Sequence, residues 1–212
     1  MFLAEQPILS PIGGLRLVIM INLKLQDVNT PFEDYPKAVE RWMEKKPFCF
    51  RCGGSFKKNG RYLRSLFSIR TIFFLHIQRV LCKQCKISHA LLPCKIIPYS
   101  TTGTMEREQV LRGYGEKAVI EEIAEEIDVE PRTVSGWCQK FSKRADEITD
   151  WAINHLAAHS NEINWLQGAL LEGREKISWV FKLLDLFQEY FFPDFSHGTL
   201  ALLNFLAYEL LI

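Results

Sequence analysis

Four cysteines in two C-x-x-C units are the residues of this 212-residue sequence best suited to chemistry. They are Cys49 and Cys52, then Cys82 and Cys85, with 29 residues between the two units. Two residues between a pair of thiolates let both sulfur atoms turn towards one point, and two such loops supply the four soft ligands of a tetrahedral site. We therefore expect a structural Zn²⁺ held by all four sulfur atoms, with no open coordination position for catalysis.

Other uses of the two cysteine pairs are distinguished by their surroundings. A thioredoxin-like redox pair needs a βαβ context, which the sequence around these cysteines lacks. A rubredoxin-like iron site also suits the spacing, although those electron carriers have glycine after the second pair, where this chain has Lys86. His89 and Cys94 follow the second pair closely and are alternative ligands, but we interpret them as packing residues. Cys138 has the spacing of a helix core position.

The distribution of charge indicates an anionic partner, although the total charge does not. The chain has 26 Lys and Arg against 25 Asp and Glu, a formal charge of +1. Residues 45–100 nevertheless carry 12 basic side chains and no acidic one, whereas residues 146–212 have a net charge of −7. A cationic block of this density repels itself unless it binds an anion, and contacts with phosphates release counterions favourably. A solvated surface without a partner is the alternative interpretation.

Hydrophobic periodicity predicts the elements that position these side chains. Residues 61–68 and 71–81 are rich in β-branched and aromatic residues and predict two strands, which bring the two cysteine loops together. Alternating apolar residues over 15–25 predict a further strand. Residues 117–127 predict a short helix with glutamates on its outer side, and Pro131 predicts the first turn of the next helix.

The helix after Pro131 has one apolar face and one polar, basic face. Val134, Trp137 and Phe141 recur on the apolar side, and a three-residue turn precedes the helix, which is the layout of a helix-turn-helix. An ordinary helical hairpin is the alternative, and the net charge of −6 over residues 116–130 favours it. The side chains expected to contact DNA are Arg132, Thr133, Ser135, Gln139, Lys140 and Lys143 on this helix and Lys57, Lys58, Arg61, Arg64 and Arg79 in the basic block.

Residues 45–145 resemble a known group of bacterial proteins. The runs FCFRCGGSFKKNGRYLR, IQRVLCKQCKISHALLPCKIIPYS and VIEEIAEEIDVEPRTVSGWCQKF are similar to transposon-associated zinc-ribbon plus helix-turn-helix proteins. These include the N-terminal DNA-binding part of certain insertion-sequence transposases and a related uncharacterised family of standalone proteins. Such proteins usually have glycine in the turn position that Asp128 occupies. The resemblance implies zinc ligation by the four cysteines and binding of element-end or operator DNA.

The sequence therefore predicts an α+β fold in four parts. They are an N-terminal extension (1–44) with a strand and a helix, a β zinc ribbon (45–100), a trihelical helix-turn-helix (101–145) and a helical tail (146–212). The tail is too short and too helical in pattern for a transposase catalytic domain, so we expect no enzymatic activity. We interpret it as an association module of a homodimer, because helix-turn-helix proteins often match two half-sites.

The hypothesis is a sequence-specific DNA-binding protein of transposon origin, acting on double-stranded DNA as a transposase accessory, regulator or remnant. A zinc-ribbon adaptor for protein partners and an iron electron carrier are the alternatives. Neither a membrane span nor a small-molecule substrate is expected. In the absence of an export signal we expect a cytoplasmic protein with reduced or metal-bound cysteines.

Overall fold

The computed structural model describes residues 18–21, 32, 34–68, 71–156, 171–195 and 198–207. The strands are β1 (Val18–Ile21), β2 (Phe56–Ser68), β3 (Thr71–Cys82) and β4 (Ser88–Pro93), and the helices are α1 (Tyr35–Glu44), α2 (Thr104–Gly115), α3 (Ile120–Glu126), α4 (Pro131–Leu156), α5 (Gly173–Phe191) and α6 (Thr199–Ala207). The fold is α+β, as the sequence predicts. No described helix is both long and apolar enough to cross a membrane.

A four-stranded sheet in the order β1-β4-β3-β2 forms the first half of the fold. β2, β3 and β4 are antiparallel neighbours, and β1 joins β4 in parallel. Of the strand expected over residues 15–25, Val18–Ile21 is present and the rest lies outside the described residues. β1 therefore belongs to the same sheet as the hairpin that adjoins the cysteine loops.

The hairpin of β2 and β3 brings the two cysteine loops together. It begins where Phe56 pairs with Cys82, so the first loop directly precedes β2 and the second directly follows β3. The register shifts between Lys58 and Arg61. Gly60 in this bulge has a φ of 74°, a conformation that glycine adopts without a steric penalty. The strands expected at 61–68 and 71–81 are thus confirmed, and β2 is longer than predicted.

Helix α1 covers part of the sheet through one buried tyrosine and one aromatic contact. The Tyr35 hydroxyl accepts a hydrogen bond from the amide of Gln78 and donates one to the carbonyl of Leu91, both at 2.8 Å. Trp42 lies against Phe56 with 5.6 Å between the ring centroids. Because burial raises the pKa of Tyr35, its hydroxyl keeps the proton that it donates.

Helices α2 to α6 share one hydrophobic core. α4 is 26 residues long and continues unbroken through residue 145, where the sequence predicts a boundary between the trihelical unit and the tail. α5 packs against α2 and α4, and α6 packs against α2 and α5. One buried cluster contains Val110, Ile123 and Val134 from the first three of these helices together with Ile177, Val180, Leu184 and Leu203 from the last two. The described part of the tail therefore completes the core of the preceding helices.

A hydrogen-bonded junction connects the sheet to the helices. The Arg64 guanidinium on β2 donates to the carbonyl of Ile97 at 2.9 Å, and Arg107 on α2 donates to the Ser100 hydroxyl at 2.8 Å. The Arg107 guanidinium also lies over the ring of Trp137 on α4, 5.1 Å from its centroid. Burial lowers the pKa of Arg107 to about 10, which leaves it charged at neutral pH.

Asn204 holds α6 against the segment after β4, and its replacement tests that contact. The fully buried Nδ2 donates to the carbonyls of Cys94 at 2.7 Å and Ile96 at 2.9 Å. Asn204→Leu keeps the branched shape of the side chain but leaves two buried carbonyls without these donors, so we expect a loss of about 1–3 kcal/mol of stability. Thermal unfolding followed by far-UV circular dichroism measures the loss. The exposed Asn154→Leu on α4 is the control, and equal melting temperatures for the two variants would contradict the assignment.

Candidate metal centre and nucleic-acid interface

The first C-x-x-C unit forms a tight loop before β2. The amides of Cys52 and Gly53 donate to the carbonyl of Cys49 at 3.3 and 2.7 Å, and Gly53 has a φ of 71°. Glycine is required at position 54 for a steric reason, because a Cβ there would lie 2.7 Å from the Cβ of Gln84 in the second loop. The two glycines therefore allow the first loop to turn sharply and to approach the second.

The second C-x-x-C unit turns in the same way after β3. The amide of Lys86 donates to the carbonyl of Cys82 at 3.1 Å, and the amide of Cys82 donates to the carbonyl of Ile87 at 2.9 Å. Lys86 has a φ of 60°, a left-handed conformation that costs a residue other than glycine about 1 kcal/mol. A bond of 2.9 Å from the Lys83 amide to the Ser55 carbonyl joins the two loops.

The four sulfur atoms converge at this end of the hairpin. All of them lie within 4.8 Å of one another. The Sγ–Sγ distance is 3.8 Å between Cys49 and Cys85 and 3.4 Å between Cys52 and Cys82. Tetrahedral ligands about 2.3 Å from a zinc ion lie about 3.8 Å from one another. The cluster therefore has the dimensions of a closed tetrathiolate metal site.

Burial and hydrogen bonding determine how readily these thiols ionise. Cys49 and Cys82 are buried, and burial raises the pKa of Cys49. Burial also opposes ionisation of Cys82, but hydrogen bonds from the backbone amides of Cys85 and Gln84 and from the side chains of Cys52 and Cys85 together lower the pKa of Cys82. A bound metal ion displaces the protons that remain on the thiols, so its affinity falls as the pH falls.

The other candidate donors lie apart from this cluster. His89 is buried with its ring edge-on to Phe50 and Phe56, at centroid distances of 5.3 and 5.5 Å. Cys94 belongs to an apolar cluster beside α6, and Cys138 belongs to the helical core. Within the described ranges, the four paired cysteines are the only donor group that converges, which agrees with packing roles for these three residues.

The five ribbon cations expected to contact DNA have different environments. Lys57 and Arg79 are exposed. Lys58 is exposed but forms an ion pair with a glutamate of α1, and the Nε of Arg61 donates to a glutamine side chain of β3. Arg64 is half-buried, and its guanidinium binds backbone carbonyls at the junction. Arg64 therefore has a structural role that the charge pattern did not predict.

Three further cations surround the metal centre and were not singled out from the sequence. Arg51, Lys83 and Lys86 lie on the two cysteine loops and are exposed, and none of them forms an ion pair with another described residue. Phe48 beside them is 75% exposed. A divalent metal bound by four thiolates would carry net negative charge, which these cations would offset. Their positions inside or next to the C-x-x-C units could have indicated from the sequence that they lie beside the four sulfur atoms.

The α4 side chains expected to contact DNA occupy the outer side of its first four turns. Arg132, Gln139 and Lys143 are separated by seven and four residues, which places them in one row, and all three are exposed. The opposite side is buried and includes Val134 and Cys138. The remaining expected contacts lie within or beside the row, with Lys140 exposed and Thr133 and Ser135 half-buried.

The turn between α3 and α4 sets the position of this row. Asp128 has a φ of 58°, in the left-handed region that glycine adopts most easily and Asp tolerates. The amide of Val129 donates to the carbonyl of Ala124 at 3.0 Å, the hydrogen bond of a Schellman cap. Val129 then packs against the helical core, and Pro131 begins α4, as the sequence predicts.

Comparison with known proteins gives one match, and it spans both features. Residues 49–137 match a protein-family model described as "Domain of unknown function (DUF6431)". The matched range begins at the first cysteine of the metal centre and ends in the first turns of α4, and it covers less than half of the chain. No curated protein and no solved structure matches the chain.

Proposed function

We propose that this protein is a sequence-specific DNA-binding protein of transposon origin that acts as a transposase accessory, regulator or remnant. It would use a zinc ribbon at 45–100 and a helix-turn-helix in which α4 is the recognition helix. The observation that carries the proposal is the arrangement of α4. Its exposed row of polar and basic side chains lies opposite a face held in the core, and residues 131–145 contain no acidic side chain.

The row on α4 has the chemistry for both kinds of DNA contact. Arginine and glutamine, as at Arg132 and Gln139, form paired hydrogen bonds with base edges in the major groove. Lys140, next to Gln139, and Lys143, one turn later, suit phosphate oxygens, which position a protein on the duplex. In the proposed complex the N-terminal part of α4 therefore lies in the major groove, and the lysines contact the DNA backbone.

The metal centre has a structural part in this proposal. A zinc ion bound by Cys49, Cys52, Cys82 and Cys85 would hold the two loops together at the end of the hairpin. The exposed cations around it, with Lys57 and Arg79 on the strands, would contact phosphates. The ribbon then contributes affinity that does not depend on sequence, whereas α4 contributes specificity.

The acidic side of α3 restricts how DNA can approach. Glu121, Glu122 and Glu125 are exposed, and Glu126 accepts a hydrogen bond from Gln109 of α2 at 2.6 Å. Carboxylates next to phosphates would weaken binding. The proposal therefore places the duplex on the outer side of α4, with the glutamates of α3 directed away from it.

A protein-adaptor function is the second candidate, and an exposed patch on the hairpin favours it. Leu63, Ile72 and Phe74 are 56%, 60% and 67% exposed. The strand register places them close together, since Leu63 pairs with His76 and Phe74 pairs with Ser65. Apolar patches of this kind commonly mark protein contacts. An adaptor would bind DNA weakly and without a steep dependence on salt.

Removal of two side chains from the α4 row tests DNA binding. Duplexes are first selected by the wild-type protein from a random-sequence library and then measured by gel shift at two salt concentrations. We expect Arg132→Ala with Lys143→Ala to weaken binding about 100-fold and to reduce the salt dependence, because a base contact and a phosphate contact are lost. The exposed Lys182→Ala on α5 is the control and should bind like wild type. Failure of the wild-type protein to enrich any sequence would refute the proposal.

The proposal includes a homodimer, because two recognition helices match two half-sites. α6, which the sequence assigns to association, is already buried within the chain against α2 and α5. Its apolar residues therefore stabilise one subunit. A dimer contact would use other surfaces of the tail, such as that around Tyr190, which is 55% exposed. Sedimentation with the selected duplex measures the stoichiometry.

A further inference from the structure

Gly136 lies in the middle of the exposed row on α4. It is one turn after Arg132 and one turn before Lys140, and it is followed by 20 further residues of unbroken helix. Glycine is less favourable than any residue except proline in the interior of a helix. A glycine at such a position needs a reason in packing or in function.

Packing within the folded chain does not supply that reason. Apart from its own helix, no described atom lies within 4 Å of a Cβ placed on Gly136, and its backbone does not have a positive φ. Gly115 is different, because a Cβ there would lie 3.2 Å from the backbone nitrogen of Ser178 where α2 crosses α5. Gly115 allows two helices to approach each other, whereas Gly136 faces open space.

The neighbours of Gly136 indicate which kind of group could approach the helix at this position. Arg132, Gln139 and Lys140 surround it at helical spacing and are all exposed. The missing side chain leaves a depression between long side chains that can donate hydrogen bonds. We infer that Gly136 is the point at which the α4 backbone approaches the base edges of bound DNA most closely. This inference rests on the proposed function and assigns a specificity-determining position within it.

A side chain at this position would separate the helix from the base pairs. One added methyl group would overlap with a base edge or displace α4 outwards, and Arg132 and Gln139 would lose their alignment with the bases. Overpacking of a close contact weakens binding by about tenfold or more. Among the described residues, the free protein has no tertiary contact to lose at this position, so its stability should increase as helix propensity increases. Binding and stability are therefore expected to change in opposite directions.

The test compares Gly136→Ala and Gly136→Leu with Gly113→Ala on the selected duplex. Gly113 also lies in a helix, and a Cβ there would meet only Ile123 at an ordinary 3.5 Å. We expect Gly136→Ala to raise the melting temperature by about 2–4 °C and to raise Kd about tenfold. Gly136→Leu should bind more weakly still, and Gly113→Ala should bind like wild type.

Two results would overturn the inference without affecting the proposed function. One is wild-type affinity of Gly136→Ala for the selected duplex. The other is a lower melting temperature for Gly136→Ala, because the fold itself would then require the glycine. If the wild-type protein enriches no duplex, the proposed function fails before any variant is compared. The failure of the inference and the failure of the proposed function are therefore distinguishable.

Discussion

The Cys82→Ala variant is expected to bind no metal and to lose the folded ribbon, whereas Cys138→Ala is expected to keep both. Both thiols are buried, so the two substitutions remove similar side chains from similar depths. Only Cys82 belongs to the cluster in which four sulfur atoms lie within 4.8 Å of one another. Binding of Zn²⁺ contributes about 10–16 kcal/mol to the folding of small zinc domains, and a site with three thiolates loses much of that contribution.

The composition of the ribbon explains why it should depend on the metal. The buried cluster of the sheet contains twelve residues, three of which come from α1, and the candidate ligands Cys49 and Cys82 are two of the nine within residues 45–100. The same segment, residues 45–100, has 12 basic and no acidic side chains, so its charges repel one another. A small core and an unbalanced charge are the conditions under which small domains need a bound metal. Without the metal, the two cysteine loops would separate first.

Metal analysis and spectroscopy measure this effect. Mass spectrometry of metals should find one zinc ion per chain in wild type and in Cys138→Ala and none in Cys82→Ala. Far-UV circular dichroism should show loss of strand signal in Cys82→Ala, and a chelator should produce the same change in wild type. A coloured protein that contains iron would identify an electron carrier instead. A folded Cys82→Ala variant that still binds metal would refute the assignment of the ligands.

The convergence of the four cysteines could be predicted from the sequence because its determinants are local. Each C-x-x-C unit closes within its own turn, and the hairpin between the units needs only two apolar strands to bring them together. The same is true of the turn before α4, in which Asp128 and Pro131 act on neighbouring residues. Patterns of spacing and backbone preference contain this information.

Contacts between distant residues could not be predicted in the same way. Charge counting treated Arg64 as a DNA contact, but its guanidinium binds carbonyls 33 and 36 residues later in the chain. Asn204 bonds to the carbonyl of Cys94 across 110 residues. The hydrophobic periodicity of the tail predicts helices but does not determine which surface they cover. The helices of the tail complete the core of the preceding helices through contacts between residues that are far apart in the sequence.

A network of charges on α2 shows how closely the tail is joined to the preceding helices. The Arg112 guanidinium binds both carboxylate oxygens of Asp185 on α5, at 2.6 and 3.0 Å. It also bonds to Glu108 on its own helix at 2.9 Å and to the Thr199 hydroxyl on α6 at 2.8 Å. The ring of Phe181 lies beneath it, with the centroid 4.4 Å away. One side chain thus joins three helices.

Arg112→Met is therefore expected to lower the stability of the helical core by about 1–3 kcal/mol, because it removes the donor that Glu108, Asp185 and Thr199 share, and the half-exposed Asp185 pair contributes only part of that loss. Arg144→Met on α4 is the control, since among the described residues Arg144 forms only an exposed pair with Glu147, and such pairs contribute about 0–1 kcal/mol. Thermal unfolding of the helical signal compares the two variants. Equal melting temperatures would mean that the Arg112 network adds little to the apolar contacts that join α5 and α6 to α2. A lower melting temperature in Arg112→Met alone would mean that the tail stabilises the helices that present Arg132, Gln139 and Lys143. In the proposed function, shortening the chain at residue 145 would then also abolish DNA binding.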